Sequence, residues 1–320
     1  MTRKPPLALV GPTAAGKTQA ALSIAEALDA EIVCVDSMLV YRGMDVGTAK
    51  PTREERARVP HHLLDLVDPG EPFSVARFQR LADRALSELA ARRRSALLVG
   101  GGGLYWRAVA DALEFPGTIP RVRLLLEAEA AVLGPEKMHR RLAEVDPPAA
   151  HRIEPSNIRR TVRALEVAAV TGRSFSSYAE AWDRYPPQAV RVCGVELPRA
   201  VLYRRIEERV ATMMPGLLDE TTALLERGFG PFLIASQVIG YAEAVACLEG
   251  AVDQGEAAAR TVRRTKALAR RQMAWLRRDP RIRWFEAGKQ GAPGIVDRLI
   301  EYLRGSGRER AGTTMALAEG

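Results

Sequence analysis

A parallel β-sheet covered by helices on both faces, an α/β fold, is predicted by three features of this 320-residue sequence. Short runs at 7–10, 31–36, 96–99 and 191–197 are continuously apolar rather than alternating, as strands buried on both faces must be. Helical stretches separate these runs, which is the pattern of a parallel sheet. Residues able to do chemistry follow directly on the strand ends: a glycine-rich loop at 11–18, Asp36, and four glycines at 100–103. Open parallel sheets bind their ligands at the carboxyl ends of the strands, so the three predict one site.

The elements follow in order. Strand 7–10 runs into Gly11-Pro12-Thr13-Ala14-Ala15-Gly16-Lys17-Thr18, which fits G-x-x-x-x-G-K-[ST], and a helix over 19–28 follows. This is a P-loop NTPase-like arrangement. Glycines let backbone N–H groups close on phosphate oxygens, and the helix N-terminus adds partial positive charge. Lys17 is placed to reach terminal phosphates and the Thr18 hydroxyl to help hold Mg²⁺. The second strand, 31–36, ends in Asp36. A loop-rich stretch, 41–72, holds Pro51, Pro60, Pro69 and Pro72. Ser74 is an N-cap for a helix over 75–93, whose apolar face is Val75, Phe78, Leu81, Leu86 and Leu89. Strand 96–99 enters the glycine turn.

From about residue 114 the pattern changes. Residues 121–185 read as helices broken by Gly134-Pro135, Pro147-Pro148 and Pro186-Pro187, an all-helical insertion domain. Strand character returns at 191–197, and helices occupy most of 199–278. The tail from Gly305 lacks periodicity and is expected to be disordered. The expected division is a P-loop α/β core at 1–113, the helical insertion at 114–188, the core continued at 189–304 with basic helices, and the tail at 305–320. There is no internal repeat.

Composition narrows the partners. No apolar run approaches the ~18 residues of a membrane span, and the apolar stretch near the start is too short for a signal peptide. Cys34, Cys193 and Cys247 form no CxxC pair and read as reduced, buried thiols of a cytoplasmic protein. His61-His62 has no third ligand nearby and argues against zinc. The formal charge of +8 points to a polyanion, although arginine enrichment in a GC-rich genome also raises it. Position decides between them. Residues 260–283 carry ten basic side chains against one acid, Asp279. On a helix, Arg260, Arg264, Arg271 and Arg278 share one stripe, with Val262, Ala269, Met273 and Leu276 opposite. A second cluster, Arg159-Arg160-Thr161-Val162-Arg163, opens a helix over 158–170. Two clusters favour RNA or DNA over solvated surface arginine. Trp106, Trp182, Trp275 and Trp284 read as packing residues, with Trp275, inside the basic helix, open to either packing or base stacking.

Asp36 admits two readings. It organises Mg²⁺, as strand-end aspartates near phosphate loops do, or it is a general base beside the phosphate pocket. A solvated turn residue is the bland alternative, and its shared sheet edge with the loop weighs against that.

The strings GPTAAGKT (11–18), DSMLVYRGMDVGTAKP (36–51), LLVGGGGLYWRA (97–108), RALEV (163–167), RIEER (205–209), IGYAEA (239–244) and RRQMAWLRR (270–278) together resemble the tRNA dimethylallyltransferases, also called tRNA isopentenyltransferases. The resemblance spans roughly 7–285. It implies transfer of a dimethylallyl group from dimethylallyl diphosphate to N6 of adenine 37, beside the tRNA anticodon. Lys17, Thr18-bound Mg²⁺ and Arg209, by its place in RIEER, would stabilise the departing diphosphate. Asp36 would take the proton of the adenine amine. The adenine must leave its stack to react. The resemblance also implies tRNA contacts at Asp36, Ser37, Met38 and Leu39; at Arg123; at Arg159, Arg160, Thr161, Val162 and Arg163; at Gln237, Val238, Ile239, Gly240, Tyr241 and Ala242; and at Arg270, Arg271, Gln272, Met273, Ala274, Trp275, Leu276 and Arg277. The helical insertion would grip the anticodon stem-loop. Separately from the resemblance, a monomer is expected.

Two positions depart from the family pattern. Gly102 stands where the glycine turn usually has threonine, so a hydroxyl toward the substrate is missing. Ala242 stands where a basic residue often follows Gly-Tyr. The competing readings are a small-molecule kinase sharing the phosphate loop, an isopentenyltransferase of free adenine nucleotides, and a non-catalytic RNA-binding nucleotide sensor. The kinase leaves the basic helix and the 36–51 string without a purpose.

Overall fold

In the computed structural model, residues 6–111, 113–182, 184–185, 190–230 and 238–305 are described. β1 (Leu7–Val10) leads through the glycine loop into α1 (Lys17–Leu28), and β2 (Ala30–Val35) follows. The expected loop region contains α2 (Arg53–Arg58) and a two-residue β3 (His61–His62). The signal for α2 lies in Thr52-x-x-Glu55. The Thr52 hydroxyl accepts from the Glu55 N–H while the Glu55 carboxylate accepts from the Thr52 N–H, a capping box. Ser74 caps α3 (Val75–Ala91) by accepting from the Arg77 N–H, and β4 (Ser95–Gly100) leads into α4 (Gly103–Ala110).

Contacts divide the chain into Met1–Ala110 with Pro187–Gly320, and Asp111–Pro186. The second unit holds α5 (Pro120–Leu133), α6 (Pro135–Val145), α7 (Pro147–Arg152), α8 (Ile158–Thr171) and a 3₁₀ segment, Phe175–Trp182. Its core is its own, built on Leu126, Met138, Leu142, Ile153, Val162 and Leu165. The first unit continues with β5 (Arg191–Glu196), α9 (Arg199–Glu226), α10 (Tyr241–Leu248), α11 (Gln254–Leu276), β6 (Ile282–Glu286), a 3₁₀ turn at Ala292–Ile295 and α12 (Val296–Arg304). β6 and α12 are additions to the sequence reading. β6 is short and half-polar, with only Ile282 and Phe285 buried, so its apolar signal is weak.

The sheet order is β3-β2-β4-β1-β5-β6, and every pair is parallel. Both faces are covered. One side of the strands (Ala8, Val10, Val33, Val35, Leu98) joins α3, α4, α9 and α10 residues such as Phe78, Trp106, Ile206 and Tyr241. The other (Leu9, Ile32, Cys34, Leu97, Val195) packs with Leu22 and Ile24 of α1 and Leu299 of α12. Full burial of one such side chain stabilises by roughly 1.5–3 kcal/mol. Cys34 and Cys193 are buried as expected, whereas Cys247 is only half-buried on α10.

Register positions the site. Val10 and Val35 both lie level with Gly100, so the three central strands end together. The next residues along each chain are Gly11, Asp36 and Gly101. The phosphate loop, the acid and the glycine turn therefore emerge side by side.

Candidate active site

The loop between β1 and α1 is shaped by its glycines. A Cβ on Gly11 would stand 2.7 Å from the Val195 carbonyl oxygen, so the backbone can cross β5 only without a side chain. Gly16 has φ +83°, the left-handed conformation that glycine adopts without steric cost, and it opens α1. Arg205 braces the loop from outside, its Nε donating to the Ala14 carbonyl at 2.9 Å and Nη1 to that of Lys289 at 3.1 Å. The Ala292 N–H donates to the Ala15 carbonyl at 2.8 Å.

A cavity of about 510 Å³ opens at this sheet edge. Lys17, Thr18, Asp36, Gly101, Arg209 and Gln272 are among its walls. The expected catalytic residues are thus brought together by three elements: α1, the end of β2, and α9. Lys17 Nζ donates to the Pro12 carbonyl at 2.7 Å. Its side chain is half-open to the cavity, yet its ammonium is enclosed by protein. That burial pushes its pKa down to about 8, with Asp36 opposing the shift and Arg209 adding to it. Burial raises the Asp36 carboxyl above its ordinary value. The Met38 N–H, donating to Asp36 Oδ1 at 2.8 Å, and the Lys17 and Arg209 charges pull it back. A carboxylate short of solvent and beside two cations is a stronger base than one in water, still ionisable, and fixed in direction.

Arg209 Nη1 lies 3.4 Å from Thr13 Oγ1. Arg205 and Arg209 sit one turn apart on α9 and both line the cavity. Sequence reading singled out only Arg209; the i, i+4 spacing of the two in RIEER is the signal for the other.

The 36–51 string is organised around buried charge. Lys50 donates to the Tyr41 carbonyl, to Asp45 Oδ1 at 2.7 Å and to Asp65 Oδ1 at 2.6 Å, its side chain 1% exposed. The Glu220 carboxylate accepts from the N–H groups of Asp45, Val46 and Gly47 and from the Tyr241 hydroxyl. Thr48, Ala49 and Lys50 are thereby held against the cavity.

The remaining expected contacts separate by exposure. Arg159, Arg160, Arg270, Arg271, Ala274, Trp275 and Arg277 are exposed, while Ser37, Met38, Leu39, Val238, Ile239, Ala242 and Met273 are half-buried. Thr161, Val162, Gly240, Tyr241 and Leu276 are buried. Gln237 lies outside the described residues. Arg123 and Arg163 turn inward as well. Both pair with Glu166, which is fully buried, and Arg163 also donates to the carbonyls of Pro116 and Gly117. Gly102 is half-buried, and a Cβ placed on it would meet nothing within 4 Å.

On α11 the buried stripe is Ala257, Thr261, Ala269, Gln272 and Leu276; Val262 and Met273, expected there, are half-buried. The arginines face outward, although several are engaged: Arg260 and Arg263 with Glu256, Arg264 with Glu243, and Arg277 with Glu196. Trp275 is 44% exposed beside the glycine turn, since a Cβ on Gly103 would stand 2.7 Å from its Cβ.

Mg²⁺ takes oxygen ligands and commonly keeps several waters, needing one or two protein groups plus phosphate oxygens. The Thr18 hydroxyl and the Asp36 carboxylate, both lining the cavity, are oxygen donors of that kind.

Among the described residues no helix is long and apolar enough to cross a membrane. The family model for IPP transferases matches residues 39–279, and one for isopentenyl transferases matches 7–67. A tRNA dimethylallyltransferase from Desulforudis audaxviator is 46% identical over 296 residues, covering 92% of this chain and 96% of its own. The crystal structure of the tRNA isopentenylpyrophosphate transferase of Bacillus halodurans is similar at 38% identity and TM-score 0.67, over 94% of this chain and 97% of that one. A eukaryotic dimethylallyltransferase acting on tRNA shares the fold at TM-score 0.77 and 23% identity, over 96% and 81% of the two chains.

Proposed function

Because this chain belongs to the IPP transferase family of tRNA dimethylallyltransferases, we propose that it moves the dimethylallyl group of dimethylallyl diphosphate to N6 of adenine 37 in tRNA, releasing diphosphate. The observation that carries the reading is one cavity lined by a phosphate loop, a half-buried acid and a half-buried arginine. The loop N–H groups, Lys17 and Arg209 would hold the diphosphate. The allylic C–O bond breaks with its electron pair passing to the diphosphate, and these positive groups stabilise the charge that develops. N6 of the adenine forms the new bond to C1 of the allyl unit. Its surplus proton goes to Asp36, whose raised proton affinity suits it to general-base work. The Thr18 hydroxyl would help hold Mg²⁺, whose charge would offset that of the diphosphate.

Exposed arginines of α11 and of Arg159-Arg160 supply positive charge for the RNA backbone. The monomer is the working form, in the cytoplasm where tRNA is modified. A kinase reading uses the phosphate loop and leaves the arginine helix and the 36–51 string without a purpose. The test is nucleoside mass spectrometry of unmodified tRNA incubated with the protein, Mg²⁺ and dimethylallyl diphosphate. A prenylated adenosine that disappears when the diphosphate is withheld is the expected result; phosphoryl transfer from ATP without alkylation overturns the proposal.

A further inference from the structure

Gln272 sits on the arginine-bearing helix between Arg271 and Met273, yet its side chain points the other way. It is 8% exposed, and its Oε1 accepts from the Thr13 N–H of the phosphate loop at 2.8 Å. That bond settles which end of the carboxamide faces where, because only the oxygen can accept from an N–H. The Nε2 end is therefore turned from the loop. It lies against Gly101, where a Cβ would come within 2.8 Å of it, and Gln272 is part of the cavity wall. Among the described residues nothing accepts from Nε2. Nε2 keeps access to the cavity, so it is free to donate to water or to a bound ligand. Thr13 meanwhile has its hydroxyl beside Arg209 Nη1. The Thr13 hydroxyl, the Arg209 guanidinium and the Gln272 amide thus line one cavity.

We infer that Gln272 is a diphosphate-binding and loop-positioning residue: it fixes Thr13 through Oε1 and donates from Nε2 to an oxygen of the bound diphosphate, rather than contacting RNA. This rests on reading the cavity as a diphosphate site, and it assigns to the inner face of α11 a task separate from that of its arginines.

Inorganic pyrophosphate is the probe, since its binding needs neither RNA nor turnover. Calorimetric titration of the full chain with pyrophosphate and Mg²⁺ should show Gln272→Met, which keeps the side chain's bulk but loses both polar atoms, binding about five- to twenty-fold more weakly. Gln272→Glu keeps an acceptor for the Thr13 N–H but sets a negative charge against the ligand. It should melt within a few degrees of the parent and bind pyrophosphate more weakly than Gln272→Met, which a merely structural role does not predict. Both should bind an anticodon stem-loop RNA within about two-fold of the parent, and in turnover their loss should appear mainly in KM for the allylic diphosphate. Should Gln272→Met prove unfolded, Gln272→Glu and a pyrophosphate-induced shift of the Gln272 side-chain amide in ¹⁵N spectra carry the same test. Unchanged pyrophosphate affinity, or a loss confined to RNA binding, overturns the inference. Pyrophosphate binding that depends on Gln272 in a protein that never alkylates RNA refutes the proposed function and leaves this inference standing.

Discussion

Asp36 and Lys17 set opposite limbs of a pH profile. Asp36 must be ionised to accept a proton, and its raised pKa moves the acid limb above that of an ordinary aspartate. Lys17 must be charged to hold diphosphate, and burial pushes its pKa down to about 8. For alkylation, kcat/KM should therefore rise with pH through the Asp36 transition and fall above about 8, since that ratio reports the free enzyme. A profile still climbing at pH 9.5 would remove Lys17 from the diphosphate site. Replacing Asp36 by Asn should cut the single-turnover rate by about 10²–10⁴ while RNA affinity stays within a few-fold. The glycine turn makes its own prediction. Gly101→Ala forces a methyl to 2.6 Å from the Gly11 carbonyl oxygen and should destabilise the fold, by about 1–3 kcal/mol in denaturant titration. Gly102→Thr, by contrast, enters open space and should leave stability unchanged. The missing hydroxyl at Gly102 is thus a chemical vacancy that the backbone around it does not require.

At the scale of elements, spacing foretold the strands at the site, the Ser74 cap and the outward arginines of α11. These depend on local pattern: continuous apolar runs, a capping residue, a 3.6-residue repeat. It did not foretell the inward reach of Arg123 and Arg163. An arginine in a string reads as surface charge, and only the folded unit reveals that Glu166 of α8 lies between the two. Gln272 is a related case: the resemblance gives it as a tRNA contact, and the folded chain buries its side chain against the phosphate loop, a facing that no local pattern signals. Two measurements follow. Glu166→Ala strands two inward-turned guanidinium groups and should cost about 3 kcal/mol of stability, at the low end for broken buried pairs because both arginines keep some solvent contact. Arg271→Ala, exposed and without an ion pair among the described residues, should lower the salt dependence of RNA binding, log K against log salt, by about one unit of slope.

For the molecule as a whole, the charge of +8 matters through its distribution. If six to ten phosphates are neutralised, RNA affinity should fall by about 10³–10⁵ between 50 and 200 mM salt. Affinity that barely changes over that range would mean the arginine faces are ordinary solvated surface. The strand order also has a consequence for how the protein is made. β1 takes its place beside β5 only when Arg191 has been added opposite Leu7, and Arg209 and Gln272 arrive later still. A nascent or prematurely terminated chain carries the glycine loop without the groups that close over it. The prenyl donor therefore meets a complete pocket only once residues as far apart in the chain as Thr13 and Gln272 are both in place.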